Sequence, residues 1–195
     1  MPNPLLNDKR CNSLINQIGH MILSDFILLG IGGREFSDEN AILTAKALNI
    51  IKPDYIRVHA TAIKPDTEMG TMLKRGEFKL QSEEEIVREQ RLFIENLEEI
   101  DSYYVNEHIV NLLLEVRGLL STDKDNMLSI IDTFLSMSEE DKENFAVGRC
   151  INQYYVLADM DIKRKRMQVN EYVDKLKKQG VNLSLACNML RSQMI

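Results

Sequence analysis

Residues 21–35 read MILSDFILLGIGGRE, and within them Phe26-Ile27-Leu28-Leu29 is an unbroken apolar run closed by glycines. Such a run predicts a strand buried on both faces, as in a parallel sheet. Ser37-Asp38-Glu39-Asn40 follows, with Ser37 expected as a helix N-cap and acids in the first turn. Ala41, Ala45 and Leu48 then repeat at helical spacing until Lys52-Pro53-Asp54 breaks the pattern. From Tyr55 to Ile63 the residues alternate. Ile56, Val58, Ala60 and Ala62 fall on one face of a strand, and Tyr55, Arg57, His59 and Thr61 on the other. Strand, helix and strand make a βαβ unit, so these two strands are expected to be parallel with a right-handed crossover.

Pro65 to Gly70 reads as a loop, and Ser82 to Glu85 has the spacing of a capping box. The helix it opens presents Ile86, Val87, Phe93, Ile94 and Leu97 to a core. Ser102 to Val105 is a short third strand, with His108 and Asn111 just beyond it. Strands and helices thus alternate over the first 110 or so residues, the rhythm of a wound sheet or a parallel barrel. After Gly118 only helical patterns remain. Met127, Ile130, Ile131, Phe134 and Leu135 form one stripe. A helix capped by Ser138 carries Cys150, Ile151, Tyr154, Leu157 and Ala158. A third has Val169, Tyr172, Val173 and Leu176 and ends at Gly180, and a last short helix spans about Leu183 to Gln193. Residues 1–20 look irregular. The division expected is residues 1–120 as an α/β part and 121–195 as a helical extension.

Composition narrows the function classes. The chain has 195 residues, 44% hydrophobic and 28% charged, a globular balance. A net charge of −6 argues against general attraction to nucleic acid or anionic lipid. Apolar runs all fall short of the ~20 residues a membrane span needs, and Met1-Pro2-Asn3-Pro4 resembles neither a signal nor a transit peptide. The expected location is cytoplasmic, with no nucleic-acid or membrane partner. Cys11, Cys150 and Cys187 are too widely spaced for a local zinc or iron–sulfur loop and too few for a disulfide scaffold. Each reads most simply as a buried thiol, and no metal ligand set is assigned.

Candidate chemistry gathers at the strand ends. Glycines directly after a strand permit positive φ and close backbone approach, so Gly30-Ile31-Gly32-Gly33 is either a ligand cradle or a tight turn. Arg57, His59 and Thr61 share a face that is either the lumen of a small barrel or a wet surface. His108 either orients a ligand or serves as a structural hydrogen-bonder. Lys163-Arg164-Lys165-Arg166 is flanked by acids and reads as a solvated face.

Three stretches carry a family resemblance: Phe26 to Glu35 (FILLGIGGRE), Ala41 to Asn49 (AILTAKALN) and Pro53 to Val58 (PDYIRV). With Pro65-Asp66-Thr67-Glu68-Met69, Arg75 to Ser82, Glu95-Asn96-Leu97, and Glu107-His108 with Asn111, the chain resembles the radical SAM superfamily. The resemblance is to the branch allied to oxygen-independent coproporphyrinogen oxidase and the Elongator type. It spans about residues 22–120 and weakens through the helices to about 175. It implies a partial (β/α)6 barrel, a [4Fe–4S] cluster on a CxxxCxxC loop, and S-adenosylmethionine cleaved to a 5′-deoxyadenosyl radical. By the family pattern Gly30, Gly32, Gly33 and Glu35 would lie beside S-adenosylmethionine. Arg57 would point into the barrel, where the strand alternation also places His59 and Thr61, and Thr67 would stand in the loop above it. The chain departs from the pattern at Asp66, Glu68 and His59, and it contains no CxxxCxxC. The family's cluster loop lies several strands upstream of the glycine turn, and here only about 25 residues precede the first strand. The expectation is therefore the carboxyl-terminal portion of a radical SAM enzyme, without catalysis or a cluster by itself. Its expected partner is an amino-terminal barrel half or a second copy; the alternative is a non-catalytic interaction module.

Overall fold

A computed structural model of the chain describes residues 22–194. Among them are four strands, seven α-helices and a 3-10 turn. They run in the order β1 (Ser24–Leu29), α1 (Ser37–Ile51), β2 (Tyr55–Ala60), α2 (Glu68–Arg75), α3 (Glu83–Glu95), β3 (Tyr103–Val105), β4 (Gly118–Leu119), α4 (Leu120–Leu135), α5 (Glu139–Cys150), the 3-10 turn (Leu157–Asp161), α6 (Lys163–Lys178) and α7 (Leu183–Ser192). No helix among the described residues is long and apolar enough to cross a membrane. The irregular reading of residues 1–20 and the position of Cys11 lie outside the described residues.

The strands form one open sheet in the order β1-β2-β3-β4. The first three are parallel, as the βαβ rhythm requires, and β4 closes the far edge antiparallel. The fold is thus α/β, with the alternating part followed by helices. The two-residue β4 escapes sequence patterning because it is too short to show a period.

One face of the sheet is well covered. Ile27, Leu29, Ile56, Val58, Ala60 and Tyr104 point under α1 and α3 and are all buried. The same apolar cluster continues through Met127, Ile131 and Phe134 of α4 and Phe145 and Val147 of α5 to Val169 and Cys187. No element among the described residues covers the opposite face. Phe26 is 66% exposed and Leu28 47% exposed. This corrects the expectation that β1 is buried on both faces: its four-residue apolar run is half core and half surface.

Several local rules operate as expected. Ser82 and Glu85 form a complete capping box on α3, and the Ser138 hydroxyl caps α5 by accepting from the Asp141 N–H. Three elements differ. Ser37 is not the N-cap of α1; Phe36 occupies that position, and the Ser37 hydroxyl donates to Glu89 instead. Residues 68–70 are not loop, because the Thr67 hydroxyl accepts from the Gly70 N–H and starts α2. The helix capped by Ser138 stops at Cys150. There the chain folds back so that the Tyr154 ring lies on Gly148, where even a methyl group would overlap it. Tyr154 stacks on Phe145 and donates its hydroxyl hydrogen to Asn144.

Candidate functional site

The bare sheet face carries its side chains in tiers set by strand register. Ser24 aligns with Tyr55 and Tyr55 with Tyr103; Phe26 aligns with Arg57 and Arg57 with Val105; Leu28 aligns with His59. The alternation of β2 is what delivers Tyr55, Arg57 and His59 to this side. The Arg57 guanidinium lies 5.9 Å from the centres of both the Phe26 and Tyr55 rings, a cation–π arrangement, and its Nε–H donates to the Ser24 hydroxyl. Phe26 meets His59 edge-on at 5.5 Å. His59 stacks on His108 at 4.2 Å. Burial, then the neighbouring His108 and Arg57, hold the His59 imidazole below its usual pKa and favour its neutral form. The result is an aromatic and aliphatic floor bearing one fixed cation and two stacked imidazoles.

Behind the upper end of β1 lies a buried polar network. Glu89 is 1% exposed. Its carboxylate accepts from the Gly30 N–H, the Asn40 amide, the Ser37 hydroxyl and the Gln81 amide. Such a carboxylate is tolerated because each oxygen is satisfied. The glycine turn is tied to this network from inside. Gly30 and Gly33 both have positive φ, and the Gly33 N–H closes the turn onto the Gly30 carbonyl at 3.1 Å. A Cβ at Gly33 would stand 2.8 Å from the Lys79 carbonyl oxygen, and one at Gly32 would stand 2.9 Å from that of Phe36. The space the missing side chains leave is filled by the chain's own backbone.

Asn111 serves the sheet. Its side-chain oxygen accepts from the Ala60 N–H at 2.7 Å, and its amide donates to the Val58 carbonyl and the Asn106 side-chain oxygen, each at 2.6 Å. β3 pairs with β2 only as far as Arg57. Asn111 therefore takes up the ladder where β3 stops. Arg149, which sequence reading passed over, fixes the segment around Asn111. It is 2% exposed and donates to the carbonyls of Ile109, Asn111, Leu112 and Tyr154. Its signal was only a cation within an otherwise apolar helix end.

The residues expected beside S-adenosylmethionine are thus distributed. Arg57 and His59 share the bare face with His108. Gly30, Gly32 and Gly33 form the turn at the end of β1. Glu35 is exposed and paired with Lys79. Thr61 lies just past β2, with its hydroxyl oxygen buried and without a hydrogen-bond partner among the described residues. The Thr67 hydroxyl donates to the Lys64 carbonyl while capping α2. The basic run opens α6, with Lys165 paired to Asp159 and Arg166 to Asp141.

The cysteines hold what spacing did not reveal. Cys150 and Cys187 are both buried, and one ligand atom from each lies within 4.8 Å of the other and of a Glu83 carboxylate oxygen. Cluster chemistry of the CxxxCxxC kind does not fit this donor set, which has two thiols from separate helices.

The site and fold together define an α/β protein with one aromatic-rich sheet face that no element among the described residues covers. No protein-family model, curated protein or solved structure matches the chain.

Proposed function

We propose that the chain is the carboxyl-terminal portion of a radical-SAM-type barrel, whose bare sheet face becomes the inner wall when a second polypeptide supplies the remaining strands. The observation that carries this reading is the uncovered face of a parallel sheet. Parallel sheets occur almost only with both faces covered, because crossover helices and neighbouring strands bury them. Here three parallel strands expose Phe26, Leu28, Tyr55 and Tyr103 together. Contiguous apolar exposure of this kind marks an interaction surface. Among the described residues β1 pairs only with β2, so its outer edge offers backbone donors and acceptors to an added strand.

In this reading Arg57 supplies a fixed positive charge to an anionic group held in the completed barrel. Neutral His59, with the His108 ring stacked on it, supplies hydrogen-bonding and proton-accepting nitrogens beside it. The glycine turn shapes the end of β1. The iron–sulfur cluster comes from the partner half, and this chain contributes neither thiolates for it nor catalysis alone.

The test is anaerobic reconstitution of the full chain with iron and sulfide, alone and co-expressed with a barrel half carrying CxxxCxxC. The chain alone is expected to take up no [4Fe–4S] cluster, and the pair to co-purify with about four irons per complex. A four-iron cluster on the chain alone, or failure of the two to associate, would overturn the proposal.

A further inference from the structure

Glu83 opens α3, Cys150 closes α5 and Cys187 lies in α7, so three helices bring these side chains to one buried point. Their ligand atoms lie within 4.8 Å of one another. Tetrahedral zinc with thiolate and carboxylate ligands sets its ligand atoms roughly 3.5–3.8 Å apart, so the separations need close by no more than about 1.3 Å. Glu83 is 7% exposed, and its oxygens are unequally used. Oε2 accepts from Arg191, while Oε1 is buried without any hydrogen-bond partner. An orphaned buried carboxylate oxygen is costly, which points to a partner that is not among the described residues. A cavity of about 380 Å³ has Glu83 and Cys187 in its wall and opens a route to the cluster.

We propose that Glu83, Cys150 and Cys187 form a zinc site, with the fourth position turned toward this cavity and filled by water. Charge supports the assignment. With two neutral thiols, the Glu83 carboxylate and the Arg191 guanidinium already cancel. Binding Zn²⁺ releases both thiol protons to solvent, so two thiolates, one carboxylate, the metal and Arg191 again sum to zero. The metal enters without leaving a net buried charge. Two thiolates select zinc over magnesium or calcium. The inference does not rest on the barrel reading, since it involves none of the residues on the bare sheet face.

The test uses the full-length chain, reduced and stripped with a chelator. Titration with Zn²⁺ against a chromophoric chelator is expected to show one site, with two protons released in weak buffer. Co²⁺ in its place is expected to give the thiolate charge-transfer band and the intense visible bands of a tetrahedral ion. Cys187→Ala is expected to abolish these signals, and Glu83→Gln to weaken zinc binding by at least about tenfold. Cys11→Ser is expected to leave both unchanged, and the wild-type cobalt spectrum needs no variant to fold. Zinc uptake that survives Cys187→Ala, a cobalt spectrum without thiolate bands, or a Cys150–Cys187 disulfide as the isolated state would overturn the proposal.

Discussion

Replacing Asn111 by alanine probes how the sheet is held together beyond β3. The side chain is 4% exposed and replaces a strand: it satisfies the Ala60 N–H, the Val58 carbonyl and the Asn106 side-chain oxygen. Ala60 and Val58 are buried, so Asn111→Ala strands two backbone groups away from water. Each such group costs on the order of 1–3 kcal/mol, and Asn106 loses its donor as well. The expected loss is about 3–4 kcal/mol, a large fraction of the ~5–15 kcal/mol that holds a domain together. Urea unfolding followed by far-ultraviolet circular dichroism measures it, with the denaturant slope expected to stay unchanged. Asn111→Asp adds a check. Its carboxylate keeps the acceptor for Ala60 but faces two other oxygens, so its folded-state pKa is raised. Stability of that variant is expected to rise as pH falls below neutrality. A loss below about 1 kcal/mol in Asn111→Ala would refute the strand-replacement argument.

Other consequences follow from the bare face and the network behind it. His59 titrates at a lowered pKa when folded, so the unfolded chain takes up its proton first as pH falls. Its contribution is present above the usual histidine range and lost as pH falls through the folded value. His59→Gln is therefore expected to flatten the drop in urea midpoint between about pH 7.5 and 5.5 relative to the native chain; an identical drop in both would count against it. Glu89→Gln turns one acceptor oxygen into a donor facing other donors, and thermal unfolding should show a loss of about 2 kcal/mol. A variant as stable as the native chain would show that the network around Gly30 does not brace the turn.

How far the sequence speaks for the structure depends on the range of each interaction. Ser82 with Glu85, the Ser138 cap and the alternation of Tyr55 to Ala60 are local patterns, and all are realised. Ser37 misled because a tertiary partner, Glu89, lies 52 residues away and takes its hydroxyl. The run Phe26 to Leu29 misled for a related reason. Periodicity cannot separate a strand buried on two faces from one whose second apolar face awaits a cover. Arg57 and His59 were legible because a strand's period places them together. The Cys150–Cys187–Glu83 cluster was not, since its members meet only when α3, α5 and α7 pack. The ladder role of Asn111 was equally hidden, although its place beyond β3 was visible.

The central claim is that the sheet face bearing Phe26 and Leu28 is an interaction surface. Its most direct measurement is fluorescence of an apolar-surface dye with light scattering, comparing the full chain with the double variant Phe26→Glu, Leu28→Glu. The account predicts strong dye binding by the native chain, lost in the variant at an unchanged melting temperature. A native chain that is strictly monomeric and binds no dye, or a variant that binds it equally, would contradict the account.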